Sequence, residues 1–146
     1  MKRRAALQQL SREHHGALVL TQRIAKAPDV AALARLLETV PATFRRELEP
    51  HFRAEEESLL PRLAAAGEGD LVRRTLADHR ELRILAAEIA AGDGSRLQTF
   101  GAALSAHVRF EERELFVTAE AVLPAEYLDD AGPAPAADPS MAPTER

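Results

Sequence analysis

The chain of 146 residues has no cysteine and no tryptophan, a single tyrosine, and aromatics at only 4%. Without cysteine there is no disulfide scaffold, no thiol redox chemistry, no cysteine zinc site and no iron–sulfur cluster. The shortage of aromatics argues against a base-stacking surface, and a net charge of −4 lacks the basic footprint of a nucleic-acid-binding protein. No run approaches the roughly 18 unbroken apolar residues of a membrane span. The basic opening is interrupted by Gln8, Gln9 and Ser11, where a secretory leader needs an apolar core. These absences predict a cytoplasmic protein with neither nucleic acid nor membrane as partner. What the chain does have is a 46% hydrophobic fraction, enough for a core, and an excess of carboxylates alongside five histidines.

Helix-forming Ala, Leu, Arg and Glu dominate, and no segment alternates β-branched and polar residues as a strand does. Gly and Pro punctuate the chain at Pro28, at Gly67 and Gly69, at Gly92 and Gly94, and densely after Gly132. This divides it into four long segments, at about 3–26, 29–65, 70–91 and 95–123. The spacing predicts an all-α fold, an antiparallel up-down-up-down four-helix bundle over 1–130, with a short extra turn at 125–130. The Pro- and Ala-rich stretch 131–146 predicts a disordered C-terminal tail. Asp29 and Ser95 stand where helix N-caps are expected, and Gly67 where a helix stops. Pro41 and Pro50 predict a break or kink in the second segment, because each removes a helix hydrogen bond.

Each segment carries a stripe at helical spacing, and each stripe contains one histidine. They read Leu7, Leu10, His14, Ala17, Thr21, Ile24; then Phe44, Leu48, His51, Glu55, Leu59, Leu63; then Val72, Leu76, His79, Leu82, Ala86, Ile89; then Leu97, Phe100, Leu104, His107, Glu111, Leu115, Val122. The sequence also repeats itself: HFRAEEESL at 51–59 answers HVRFEEREL at 107–115, and Glu13-His14 is echoed by Asp78-His79. A single histidine on an apolar stripe is ordinarily a hydrogen-bonded core residue. Four at matching depth, two of them with a Glu one turn later on the same face, are a different matter. Buried unpaired carboxylates cost several kcal/mol each, and a cation is their natural partner. Imidazole nitrogen with carboxylate oxygen suits iron, manganese or zinc. Four His and two bridging Glu give each of two irons two nitrogens and shared oxygens, with positions left for a solvent bridge and an outside ligand.

The order His, His-x-x-x-Glu-Glu, (Asp/Glu)-His, His-x-x-x-Glu-Glu, over about residues 5–123, resembles the hemerythrin-like HHE cation-binding family. The resemblance implies a bundle around two non-haem iron ions with an oxo or hydroxo bridge. It implies His14, His51, Glu55, His79, His107 and Glu111 as metal ligands, with Glu55 and Glu111 bridging. It also implies dioxygen, peroxide or nitric oxide as the small ligand, bound for sensing, storage or scavenging. The family's oxygen carriers have a further His one turn after the third-helix His; here that position is Arg83. A guanidinium stays protonated and does not ligate, so Arg83 is either a donor to a nearby carboxylate or anion, or the mark of an under-liganded metal. Two other functions stay open at this point: a stress-response enzyme or iron-donating repair protein with a labile site, and a structural bundle holding one zinc or no metal. His15, about 100° around the helix from His14, is the alternative first-helix ligand. Glu112 is the alternative to Glu111. Glu56, Glu57, Glu112 and Glu114 otherwise read as a solvated face pairing with Arg53, Arg62, Arg109 or Arg113. Phe52, Phe110 and Phe116 read as packing around the site.

Overall fold

The structure is a computed structural model and describes residues 2–130; the expected tail at 131–146 lies outside the described residues. Four long helices are present. α1 is Ala5–Ala25. α2 spans 30–65 without a break, as Val30–Thr43, Phe44–Leu48, Glu49–Ala54, Glu55–Leu59 and Leu60–Ala65. α3 is Gly69–Ala90. α4 is entered through a 3-10 turn at Gly94–Arg96 and continues as Leu97–Phe110, Glu111–Leu115 and Phe116–Val122. A last single turn, α5, is Ala125–Leu128. No strand occurs among the described residues.

Side-chain pairs fix the directions. Arg3 meets Glu120 while Gln98 reaches the Ile24 carbonyl, so α1 and α4 are antiparallel. Glu56 meets His79 while Glu49 meets Arg83, so α2 opposes α3. Asp78 meets His107 while Glu88 meets Arg96, so α3 opposes α4. The up-down-up-down bundle follows.

Helix ends are set locally. The Asp29 carboxylate accepts the Ala32 N–H and caps α2. At the other ends, Gly67 and Gly92 adopt φ of +90° and +103°, which L side chains rarely tolerate. There Glu68 N–H reaches the Leu63 carbonyl and Asp93 N–H the Glu88 carbonyl, closing both helices. The expected Ser95 cap is corrected: Asp93 accepts both the Ser95 N–H and its hydroxyl, and Ser95 lies inside the 3-10 turn.

The expected breaks in α2 are also corrected. Pro41 is buried inside a continuous helix. Pro50 and Pro61 each sit two residues beyond a widened π turn, Phe44–Leu48 and Glu55–Leu59. In those turns Glu49 N–H bonds to the Phe44 carbonyl and Leu60 N–H to the Glu55 carbonyl, an i→i−5 pattern. The added residue gives the ring of each proline room against the preceding turn, so the helix widens and does not break. A third π turn, Glu111–Leu115, occupies the matching place in α4. The turns span the second of two steps of four, Glu55 to Leu59 and Glu111 to Leu115, while the first, His51 to Glu55 and His107 to Glu111, is regular helix; all six residues face inward. A regular helix would rotate each such step by about 40° off the stripe.

Two stripe positions differ from expectation. Leu76 is 37% exposed, and Thr75 is buried in its place, with its hydroxyl satisfied by the Leu71 carbonyl. Val122 is 40% exposed; the helix ends there, and Leu123, in extended backbone, turns back onto the core. The core itself is in two parts. One cluster includes Ile24, Val40, Phe52, Leu82, Ile89, Phe100 and Leu104. The other includes Leu7, Leu59, Leu63, Leu115, Phe116 and Leu128. Between them lies a polar layer of His14, His51, Glu55, His79, His107 and Glu111, all buried.

Candidate metal centre

All six sequence-predicted site residues meet in that layer. They form two groups of four, His14, His51, Glu55 and Glu111, and Glu55, His79, His107 and Glu111; within each, the donor atoms lie within 4.8 Å of one another. The two carboxylates belong to both groups, and each spreads its oxygens between them. Glu111 sets Oε1 2.8 Å from His14 Nε2 and Oε2 3.1 Å from His107 Nε2. Glu55 sets Oε2 3.1 Å from His51 Nε2 and Oε1 3.0 Å from His79 Nε2. Both glutamates start a π turn, so the widened backbone lies at the point where the carboxylates project inward. His15 is exposed, which leaves His14 as the first-helix residue in the layer.

Every imidazole also has a carboxylate behind it. His14 Nδ1 is 2.7 Å from Glu112, His51 Nδ1 2.7 Å from Glu13, His79 Nδ1 2.7 Å from Glu56, and His107 Nδ1 3.0 Å from Asp78. An ionised carboxylate only accepts, so each Nδ1 carries the proton and donates it. That leaves the four Nε2 atoms facing inward, the tautomer a metal-binding imidazole needs. The solvated-face expectation is corrected for Glu56 and Glu112, which hold histidines. Glu57 and Glu114 are exposed as expected, but among the described residues the expected arginine pairing is not seen, Arg53 pairing with Glu49 instead. Sequence reasoning missed the roles of Glu13 and Asp78, although the Glu13-His14 and Asp78-His79 echo was the available signal. Each of these acids serves the histidine of the neighbouring helix, not the one beside it in sequence.

The inner surface of this layer is short of partners. His51 Nε2, His107 Nε2, Glu55 Oε2 and Glu111 Oε2 are buried without a hydrogen bond, their near neighbours lying outside bonding directions. Burial alone would push the four imidazoles down. The carboxylates outweigh it, carrying His79 and His107 up to about 9 and His14 and His51 upward. Burial pushes Glu111 and Glu112 up, but the facing histidines hold Glu111 well below its ordinary range and, with Ser11 and Arg3, bring Glu112 to about 2. A buried carboxylate pair ringed by imidazoles that must otherwise take up protons is the electrostatic form of a cation site. The donor set and the unbonded buried atoms fit a metal of charge +2 or +3.

Aromatic rings close the layer. Phe52 stacks on His79 at 4.1 Å between centroids, and Phe116 on His14 at 5.3 Å. A cavity of about 10 Å³ adjoins His14, His51 and His107, walled by Ala17, Leu48, Phe52, Leu104 and Val108, with Glu13 and Glu47 also lining it. That is space for about one water-sized molecule. Among the described residues, no helix is long and apolar enough to cross a membrane.

The family model described as Hemerythrin HHE cation binding domain matches residues 5–119. Comparison with curated proteins and with solved structures gives no match.

Proposed function

The chain belongs to the hemerythrin HHE cation-binding family, and from that premise we propose that it is a non-haem di-iron protein that binds dioxygen or a related small ligand, peroxide or nitric oxide. In this reading His14 and His51 hold one iron, His79 and His107 the other, and Glu55 and Glu111 lie between them. The observation that carries it is the sharing of both buried carboxylates between two four-residue donor groups. A structural zinc site needs one closed set of four ligands and no such sharing. Two irons bound this way supply redox-active centres with positions left for a solvent bridge and a small outside ligand. The protein's own contribution is to aim four neutral imidazoles inward and to keep the centre in a dry, apolar surround. The small cavity beside His14, His51 and His107 leaves no room for a bulky substrate.

Elemental analysis of the purified protein, with absorption spectra before and after anaerobic reduction and re-oxygenation, tests the reading. About two irons per chain and a charge-transfer band that returns with oxygen are expected. One zinc per chain, or no metal with an unchanged spectrum, would overturn it. Scavenging, storage and sensing separate from enzymatic turnover by stoichiometry: a binding protein consumes one equivalent of ligand per site.

A further inference from the structure

The four carboxylates behind the histidines are held to different degrees. Glu13 takes a hydrogen bond from neutral Gln9, and Asp78 has only Arg74, at 3.7 Å. Glu112 takes the Ser11 hydroxyl at 2.8 Å and an Arg3 nitrogen at 3.2 Å. Glu56 is gripped by both arms of one guanidinium. Arg83 Nη1 donates to Oε2 at 2.9 Å and Nη2 to Oε1 at 3.1 Å. The same guanidinium donates to Glu49 at 2.8 and 3.0 Å. It also lies 5.6 Å from the centre of the Phe52 ring, the ring that stacks on His79. Glu49 and Glu56 are seven residues apart on α2, two turns along one face, so without Arg83 between them they repel, the exposed Arg53 at 3.0 Å from Glu49 offsetting this only in part. Glu56 Oε2 is the atom that accepts from His79 Nδ1.

We propose that Arg83 is a positioning residue for the metal centre. By clamping Glu49 and Glu56 together it fixes the carboxylate that holds the His79 ring, and so keeps His79 Nε2 aimed into the His79–His107 half. This rests on the dinuclear reading above. Two effects of removing Arg83 oppose each other. A Glu56 freed of its cation is a stronger acceptor and would make His79 a better donor to metal. A Glu56 repelled by Glu49 and free to swing into water no longer orients the ring. Orientation wins, because Glu56 is partly exposed and, apart from the His79 ring it has to orient, Arg83 is the side chain that holds it beside Glu49.

The test uses the full chain loaded anaerobically with ferrous iron, mixed with an excess of a chromogenic iron chelator and followed in time. In Arg83→Gln, iron uptake at saturation is unchanged, but one of the two ions leaves about 10- to 100-fold faster and the other at the wild-type rate. Glu56→Gln gives the same change, and the double variant is no faster than either single one. Arg83→Lys restores the charge without the fork and recovers part of the loss; it also serves if Arg83→Gln folds poorly. Unchanged release in Arg83→Gln overturns the inference. So does equal acceleration of both ions, which marks a general loosening of the bundle, and so do Arg83 and Glu56 effects that multiply in the double variant. A wild-type chain that takes up no iron, or only one, overturns the dinuclear reading itself and is seen before any variant is made.

Discussion

The half of the polar layer built from His14 and His51 and the half built from His79 and His107 have the same inner arrangement and different surroundings. In both, two Nε2 atoms face one oxygen each of Glu55 and Glu111, and in both a carboxylate stands behind each ring. The difference lies outside that shell. Glu112 in the first half is tied to Ser11 and Arg3 at the start of α1, whereas Glu56 in the second is locked by Arg83. His79 is fully buried under Phe52, while His14, His51 and, from the second half, His107 line a small cavity. The inner shell follows the internal repeat, so it is symmetric. The outer contacts come from residues the repeat does not include, so they are not.

The change with the largest effect removes what the halves share. Glu111 lies within 4 Å of all four imidazole Nε2 atoms, whereas Glu55 does so for His51 and His79 only. Glu111→Ala is therefore expected to lose both metals and Glu55→Ala to retain some, with helix content by circular dichroism largely kept in each. Metal content by elemental analysis reads the result, and a Glu111→Ala protein that kept both metals would show the shared-carboxylate arrangement to be wrong.

The aromatic covers test whether the halves are packed equally. Phe52 and Phe116 are each buried, at 1% and 0% exposure, and each stacks on one histidine. Replacing either with Ala is expected to cost about 3–5 kcal/mol in urea unfolding. Similar losses would say that the two core clusters depend equally on their ring.

Acidity distinguishes the metal-free chain from the loaded one. His79 and His107 titrate near 9 in the folded chain and near their ordinary value of about 6.5 when unfolded. Their stabilisation is complete below about pH 6.5 and is lost as pH rises through 9. Glu112 acts at the other end, its contribution present above about pH 4.3 and lost as pH falls toward 2. The melting temperature of the metal-free chain should therefore fall between about pH 6.5 and 9. Bound metal replaces those protons, so the loaded chain should keep its melting temperature over that range. Parallel curves for the two forms would mean that the histidines do not exchange protons for metal.

Smaller effects sharpen the outer shell. Glu13→Gln keeps an acceptor behind His51 but removes its charge, and is expected to weaken metal binding by about tenfold, the lower end for such partners. His15→Ala should leave metal content unchanged, since His15 is exposed. Asp29→Ala removes the α2 cap and should cost about 1 kcal/mol with no change in metal.

The all-helical fold, the helix order and the six converging side chains were legible because they depend on spacing along one chain. Periodicity decides which face is apolar, and an i, i+4 step sets a His and a Glu on the same face whatever the helix packs against. The repeat added that two such pairs lie at equal depth. Leu76 and Val122 were misplaced for a local reason: apolar character was visible, but the exchange for Thr75 and the turning back of Leu123 depend on where neighbouring helices press. The prolines were legible as perturbations but not as widened turns, since whether a helix breaks or absorbs a residue depends on the packing that holds it together. The carboxylates behind the histidines were beyond reach from spacing alone. Glu13 serves His51, Asp78 serves His107, Glu56 serves His79 and Glu112 serves His14, each across a helix–helix contact. The sequence by itself therefore determined the helices, their inward faces and the inner donor set. Only the tertiary structure decided which acid stands behind which imidazole, that Arg83 clamps Glu56, and which histidines border the cavity, because contacts between helices depend on the distance and rotation at which they pack.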